Sequence, residues 1–341
     1  MPENFDLYER WREPETQEDP LTSFQKTVIL SAFPDGAQIT EARPARSWSF
    51  YPVLVQIRTI INRVQTVYLR KDRKIGGVEL EAELLPVLHK LGLPVPKLLA
   101  GPVIDPNSQD SVPVTVISSL PGESLLKFSW EAKGNDAYIA MKLVLEGVMR
   151  LQGLTEALQQ EPVARKMPSK TLTKELEDIQ NRAGNWLEIK EFQRAIKRLE
   201  KRLPQIEEPL IFSNGDYNPG NFLFTASNEA KLATADHSWG NPGSLDRIPH
   251  KLTGFIDFSW ACFEDPHIGF VKYWTYDWFP AGLIERYLYE NNLGRQEFAP
   301  RLALRCLWTL QREFEPPTIS PSPNWYRENL LGLLKHAMAN F

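Results

Sequence analysis

Residues 212–224 read FSNGDYNPGNFLF, a short polar loop between two apolar, strand-like runs. Asp216 follows the first run after a Gly, and Asn221 stands five residues later, just before the second run. A third polar residue, Asp257, lies within another strand-like segment, LTGFIDFSW (252–260). Loops that interrupt regular structure with Asp and Asn are common places for binding and catalysis. We therefore take these three side chains as the starting point for function.

Their chemistry suits the transfer of a phosphoryl group. Such a site needs a carboxylate near the attacking hydroxyl, oxygen ligands for Mg²⁺ and a cation on the nucleotide phosphates. Asp216 is the candidate base, and Asn221 and Asp257 offer the oxygen atoms that hard cations prefer. The sequence thus contains a candidate base and candidate Mg²⁺ ligands for a phosphoryl-transfer site.

The cation is predicted upstream. The β-branched and aromatic run at 64–72 is typical of a strand, and 78–92 repeats apolar residues at helical spacing before a Gly. Arg70 or Lys71 ends this strand immediately before the helix, which carries Glu81. A shift of one residue in the strand register would move each of the two side chains, Arg70 and Lys71, to the other face of the sheet. Both therefore remain candidates.

The length of 341 residues exceeds what one core usually holds, so two lobes are expected. Residues 1–35 show little periodicity and are predicted to form an irregular N-terminal extension. Residues 36–120 contain strands and one helix, and 121–341 are mostly helical with a few short strands. The fold class is therefore predicted to be α+β, with an N-terminal antiparallel sheet lobe and a larger helical lobe.

The composition is that of a globular protein, with 42% hydrophobic and 24% charged residues and a net charge of −4. The absence of a basic stripe argues against nucleic acid or an anionic membrane as a partner. No apolar run has the length of a membrane helix, and the acidic start does not resemble a signal peptide. A cytoplasmic location is expected. Cys262 and Cys306 lack metal-binding spacing, and the five histidines are scattered.

Four segments together resemble the aminoglycoside phosphotransferase and choline-kinase-like family, small-molecule relatives of the protein kinases. NGDYNPGN (214–221) is similar to the family's H-G-D-x-x-x-x-N catalytic loop, and GFIDFSWACFEDP (254–266) to its I-D-(aromatic)-x6-D-P segment. TVYLRKD with VELEAELLPVLHKLGLPVPKLL (66–99) resembles the phosphate-contacting strand and its ion-paired helix. VISSLPGESLL (116–126) resembles the hinge between the lobes.

The resemblance implies a bilobal protein-kinase-like fold and a role for each matching residue of the larger lobe. Asp216 corresponds to the catalytic base, and Asn221 and Asp257 to the Mg²⁺ ligands. Asp265 corresponds to a residue that braces the catalytic loop. In this scheme residues 121–341 form the catalytic and acceptor-binding lobe.

The same resemblance implies that residues 36–120 form the nucleotide-binding lobe. Arg70 would lie near the phosphates of ATP with Glu81 as its ion-pair partner, and backbone groups from Ile117 to Ser119 would face the adenine. ATP and Mg²⁺ are thus the implied cofactors, and the partner is a small-molecule hydroxyl substrate of aminoglycoside, choline, sugar or amino-acid-derivative type.

A dense aromatic cluster, KYWTYDWF, follows where the family commonly builds its acceptor pocket. Trp274, Tyr276 and Trp278 could stack on a sugar or enclose a quaternary ammonium. The alternative is that this cluster packs in the core.

Four positions depart from the family pattern. Asn214 replaces the usual His, Glu264 replaces the Gly before Asp-Pro, and Arg70 stands where Lys is frequent. The turn in RPARSWSFYP (43–52) contains no glycine to bring backbone N–H groups near phosphates. A second hypothesis therefore stays open: a nucleotide-binding or regulatory protein that kept the fold and lost transfer. Phosphorylation of proteins is less favoured, because no A-P-E-like segment follows Asp257.

Overall fold

The described part of the chain in the computed structural model comprises residues 20–46, 49–71, 77–106, 111–131, 135–226, 250–276, 281–314 and 324–341. A five-stranded antiparallel sheet lies at its N-terminal end, and helices with two small three-stranded sheets make up most of the remainder. The α+β class predicted from the sequence is confirmed. Among the described helices, none is both long enough and apolar enough to cross a membrane.

The strands have the following bounds: β1 Gln38–Arg46, β2 Ser49–Arg58, β3 Val64–Lys71, β4 Leu98–Val103, β5 Val114–Ser118, β6 Glu123–Ser124, β7 Ser169–Lys170, β8 Ile211–Ser213, β9 Phe222–Ala226, β10 His250–Phe255 and β11 Cys262–Glu264. The strands predicted at 64–72 and within 252–260 correspond to β3 and β10. The short strands β4, β6, β7 and β11 have no alternating pattern long enough to predict them from sequence.

The helices have the following bounds: α1 Ser23–Ser31, α2 Gly77–Lys90, α3 Leu125–Glu131, α4 Asn135–Gln152, α5 Thr155–Gln159, α6 Leu172–Asn181, α7 Lys190–Arg202, α8 Ile268–Thr275, α9 Ala281–Glu290, α10 Arg295–Phe314 and α11 Asn324–Ala339. The predicted helix at 78–92 is α2. It ends at Lys90, and the φ of 82° at Gly92 with the bond from the Leu93 N–H to the Leu88 carbonyl (3.0 Å) forms a Schellman-type C-terminus.

The five-stranded sheet has the order β1-β2-β3-β5-β4 with every pair antiparallel. Val67 and Leu69 of β3 are fully buried in a core formed with α1. Because side chains alternate along a strand, Arg70 lies on the opposite face, toward α2, and Lys71 lies on the face of Leu69. The β3 register therefore decides between the two candidate cations in favour of Arg70.

Residues 23–31 correct one prediction, because they form helix α1 and not an irregular extension. Thr22 and Gln25 form a capping box: the Gln25 N–H donates to the Thr22 hydroxyl, and the Thr22 N–H donates to the Gln25 side chain. Val28 and Ile29 then bury the outer face of the sheet. The S/T-x-x-Q signature is present in the sequence, and it is the signal that predicts this helix start.

The small sheets hold the polar loops in place. One has the order β10-β9-β6 and the other β7-β11-β8, and β8 connects to β9 through residues 214–221. The segment that begins with Asp257 follows β10 and leads to β11. The strands on both sides of both loops are buried in one continuous core with the helices, so the ends of the loops are fixed.

Candidate active site

The loop between β8 and β9 packs tightly on the segment after β10. Gly215 has a φ of 79°, and a Cβ atom at this position would lie 2.0 Å from the carbonyl oxygen of Trp260. An L side chain is excluded here both by the left-handed conformation and by this contact. Glycine is therefore required immediately before Asp216, and it brings Asp216 next to the segment that carries Asp257.

Asn214 braces this loop from below. Its side chain is buried, with 1% of the residue exposed, and its Nδ2 donates to the backbone carbonyl of Asp216 at 3.0 Å. Its Oδ1 accepts from the Asp216 N–H at 3.3 Å. Asn214 therefore holds the loop through one donated and one accepted hydrogen bond, at the position where the family usually has His.

Asn221 contacts Asp216 directly. Its Nδ2 donates to the Asp216 carbonyl at 2.9 Å and lies 3.5 Å from Asp216 Oδ2. These contacts use the amide nitrogen, so the amide oxygen is the atom that Asn221 can offer to a cation. Its backbone carbonyl accepts from the Ile256 N–H at 3.0 Å, which ties the loop to the residue before Asp257. The structure thus brings together Asp216, Asn221 and the start of the Asp257 segment.

Asp257 has a φ of 65°, an uncommon left-handed conformation for a residue other than Gly, although Asp tolerates it better than most. Its Oδ1 accepts from the Ser259 hydroxyl at 3.1 Å and from Arg70 Nη2 at 2.8 Å. Such local strain is characteristic of functional sites.

Arg70 joins the sheet to this segment. Its Nε lies 3.2 Å from Oε2 of Glu81 on α2, and its Nη2 lies 2.8 Å from Oδ1 of Asp257. Glu81 is 2% exposed, and its Oε1 accepts from the Phe258 N–H at 3.0 Å. The predicted Arg70–Glu81 pair is therefore present in the structure, and the helix, the sheet and the Asp257 segment meet at one point.

The donors at this point suit Mg²⁺. Asp257 and Asn221 offer a carboxylate and an amide oxygen, and Mg²⁺ typically takes one or two protein oxygens and fills its other positions with water and phosphate. The Arg70 guanidinium faces two carboxylates, those of Glu81 and Asp257. Within the described residues, no group of three or more His, Cys, Asp or Glu could hold a metal by itself.

Lys272 is a site residue that the sequence analysis missed. It lies on α8 with 3% of its surface exposed, and its Nζ forms an ion pair with Asp216 Oδ1. Burial lowers the pKa of Lys272, and the charge of Asp216 opposes this effect. A single cation inside the apolar helix IGFVKYWT is the signal that could have identified it.

Asp265 lies at the N-terminus of the same helix. Its buried carboxylate accepts from the N–H groups of residues 267 and 268 and from two nitrogens of Arg301 on α10. These contacts fix α8, which carries Lys272. Any support that Asp265 gives to the catalytic loop therefore runs through this helix.

Glu264, another departure from the family pattern, is buried at the end of β11. It pairs with Lys170 across the parallel strands β7 and β11, so that opposite charges stand side by side. This lysine offsets the carboxylate that replaces the usual Gly.

The hinge-like segment follows β5. Ile117 pairs with strands on both sides, and the N–H groups of Ser118 and Ser119 donate to backbone carbonyls of the neighbouring segments at 2.9 and 3.3 Å. Pro121 has no N–H group. The N–H group that this segment can offer to a base is therefore that of Leu120.

The structure describes two of the three aromatic residues that are candidates for the acceptor pocket. Trp274 stacks edge-on against Phe298 at 5.0 Å between ring centroids, and the Tyr276 hydroxyl donates to Glu313 at 3.2 Å. Both therefore pack among the helices, which favours the core-packing alternative. Trp278 and the glycine-free turn at 47–48 lie outside the described residues.

Trp260 is a second residue that the sequence analysis missed. Its backbone and Cβ contact Gly215, yet 51% of its surface is exposed. The backbone of this exposed aromatic residue thus packs on the residue that precedes Asp216.

Comparisons with known proteins show the family and the fold. A family model described as "Phosphotransferase enzyme family" matches residues 41–233. No curated protein matches the chain. The fold is similar to that of several solved structures.

One is APH(2")-IIia in complex with GDP and kanamycin, with a TM-score of 0.59 and 14% identity over 94% of this chain and 99% of that chain. Another is a thermostable mutant of aminoglycoside phosphotransferase APH(4)-Ia with ADP and hygromycin B, with a TM-score of 0.57 and 13% identity over 91% and 97%. At these identities the likeness shows the fold, and the predicted protein-kinase-like fold is confirmed.

Proposed function

The chain belongs to the phosphotransferase enzyme family, whose model covers more than half of it, and from this we propose that it transfers the γ-phosphoryl group of ATP to a hydroxyl of a small molecule. The observation that carries the proposal is the meeting of Asp216, Asn221 and Asp257 beside Arg70. This arrangement contains a carboxylate for the hydroxyl, oxygen donors for Mg²⁺ and a cation for phosphate.

We propose that nucleotide binds between the lobes, with residues 36–120 as the nucleotide-binding lobe and 121–341 as the catalytic and acceptor-binding lobe. Two similar structures contain GDP or ADP, which supports nucleotide binding. Arg70 would exchange its contact with Asp257 for the phosphates, held in place by Glu81. The backbone from Ile117 to Leu120 would meet the base, with the Leu120 N–H as the donor.

Asp216 would orient the acceptor hydroxyl and accept its proton as the new bond to phosphorus forms. Its Oδ1 is held by Lys272, so the proton acceptor would be Oδ2. Mg²⁺, held by Asn221 and Asp257, would neutralise charge on the phosphate oxygens and align them for in-line transfer.

We propose a class of acceptors and not a single compound. Kanamycin and hygromycin B are bound in two similar structures, which supports a small polyhydroxyl molecule or amino alcohol as substrate. Trp260 is an exposed aromatic residue whose backbone packs on the loop of Asp216, and an indole ring suits the face of a sugar ring or a quaternary ammonium group.

The direct test is ADP release from ATP and Mg²⁺ with a panel of aminoglycosides, sugars, amino alcohols and amino-acid derivatives. Asp216→Asn and Asp257→Asn are each expected to lower turnover by at least about 10²-fold, the scale of a lost base or charge-stabilising group. Asp178→Asn is the matched control, because Asp178 forms an exposed pair with Arg182 at 3.9 Å. Unchanged turnover in either site variant would remove the assignment.

The competing hypothesis is a nucleotide-binding protein without transfer activity. The contacts of Asn214 with Asp216 weigh against it, because the loop is held without the usual His. Thermal shifts with ATP, with Mg²⁺ and with both separate the two, since a ligand that binds only the native state raises its stability. Active transfer predicts that ATP and Mg²⁺ stabilise together far more than ATP alone. Stabilisation by ATP that ignores Mg²⁺ would favour the inactive protein.

A further inference from the structure

The two partners of the ion pair between Lys272 and Asp216 differ in their exposure to solvent. The lysine side chain is 4% exposed and the aspartate side chain is 42% exposed. The ammonium has thus been removed from water, whereas the carboxylate still faces it. Removing an ammonium ion from water is costly, and the attraction to a half-exposed partner returns only part of that cost. The pair is a poor arrangement for stability.

Its geometry suits the orientation of a reacting carboxylate. Lys272 holds Oδ1, and Asn221 Nδ2 lies 3.5 Å from Oδ2. The backbone of Asp216 is held at its N–H and its carbonyl by Asn214. With the backbone fixed, one side-chain contact at Oδ1 is enough to define the direction in which Oδ2 faces. Lys272 supplies that contact from a helix 56 residues farther along the chain.

We propose that Lys272 is a positioning residue for phosphoryl transfer, which acts by holding Asp216 Oδ1 so that Oδ2 faces the acceptor hydroxyl. This inference rests on the proposed function. In the step, the acceptor oxygen forms its bond to the γ-phosphorus while the bond from phosphorus to the oxygen of ADP breaks. The hydroxyl proton passes to Oδ2, and the ammonium keeps its own proton throughout.

The alternative is that Lys272 only stabilises the helix packing. The two roles predict a different order of stability for two variants, because the Asp216 side chain is partly exposed and the Lys272 side chain is buried. Lys272→Met removes the buried charge and leaves an Asp216 carboxylate that water can solvate, so the urea midpoint should fall less than in Asp216→Asn. Asp216→Asn removes the charge that faces a buried ammonium, so the midpoint should fall. The double variant Asp216→Asn/Lys272→Met should regain the wild-type midpoint without regaining activity.

The kinetic test compares Lys272→Met with Lys272→Gln, which keeps a hydrogen-bond donor. We expect kcat of Lys272→Met to fall by about 10²-fold, the cost of a misplaced reacting group, with the KM for ATP changed by less than about threefold. Lys272→Gln should recover at least about tenfold of that loss in kcat. Lys335→Met, which changes an exposed lysine 3.7 Å from Glu191, is the control.

The outcomes separate this inference from the proposed function. Wild-type protein that releases no ADP with any acceptor would refute the proposed function, whatever the variants do. Active wild-type protein with undiminished kcat in Lys272→Met would refute the positioning role alone. Equal losses of kcat in the Met and Gln variants would also refute it, as would a lower urea midpoint for Lys272→Met than for Asp216→Asn.

Discussion

Replacing Arg301 by Met should strongly destabilise the fold. The Asp265 carboxylate is fully buried, and the Arg301 side chain is 4% exposed. Arg301 Nε and Nη2 donate to the two carboxylate oxygens at 2.7 and 2.6 Å, and the N–H groups of residues 267 and 268 donate at 2.9 and 3.0 Å. Met removes both bonds from the guanidinium and leaves the carboxylate with the two backbone donors.

The expected loss follows from this count. Breaking a buried ion pair by removing one partner costs about 3–5 kcal/mol, because the other charge stays buried. The two remaining N–H donors place Arg301→Met near the lower end, at about 3 kcal/mol, a large part of the 5–15 kcal/mol that holds a typical domain folded. Arg301→Lys should lose less, since an ammonium keeps the charge but not the paired donors.

The free energy of unfolding would be measured by urea titration with tryptophan fluorescence. Arg295→Met is the control on the same helix, because Arg295 lies 4.0 Å from Glu285 with both side chains exposed, and its loss should stay below about 0.5 kcal/mol. Asp265→Asn/Arg301→Met should recover part of the loss, since no charge is left buried. A loss below about 1 kcal/mol for Arg301→Met would refute the reasoning.

Three further predictions concern the loops and the core. Gly215→Ala should cost at least about 1–3 kcal/mol and most of the activity, because a Cβ would meet the Trp260 carbonyl at 2.0 Å and φ is 79°; wild-type unfolding and turnover would contradict it. Trp260→Ala should leave the stability within about 0.5 kcal/mol but raise the KM for the acceptor and not for ATP; equal effects on both would argue against an acceptor contact. Burial, followed by the charge of Glu264, raises the pKa of Glu175 from 4.5 to about 7. The stability from this raised pKa is present below pH 4.5 and is lost as the pH rises through 7. Glu175→Gln should therefore raise the free energy of unfolding over wild type by up to roughly 3 kcal/mol at pH 8 and by little at pH 4. A difference that does not depend on pH would contradict this prediction.

Much of the site follows from local sequence. Asp216 and Asn221 stand on one short loop, and the spacing between them defines their contact once the flanking apolar runs become β8 and β9. The start of α1 was also encoded locally, by Thr22 and Gln25, although the sequence analysis took the segment as irregular. Short-range patterns of this kind can be predicted because the residues that interact are neighbours along the chain.

Other contacts depend on packing. Arg70 and Asp257 are 187 residues apart, and only the fold of the sheet onto the helical lobe brings them to 2.8 Å. The choice of Arg70 over Lys71 required the register of β3, because one residue exchanges the two faces of a strand. The acceptor-side interpretation changed for the same reason, since Trp274 packs into the core whereas Trp260 is exposed.

The sequence by itself determined the residue types and the loops of this phosphotransferase family member, because strands, turns and caps arise from interactions between near neighbours. Only the tertiary structure decided which charges meet. Lys272 pairs a buried ammonium with the partly exposed carboxylate of Asp216, and Arg301 with Asp265 is a fully buried pair, each between distant elements. The sequence of one element can show that a charge will be buried, but it does not show which opposite charge the packing brings to it.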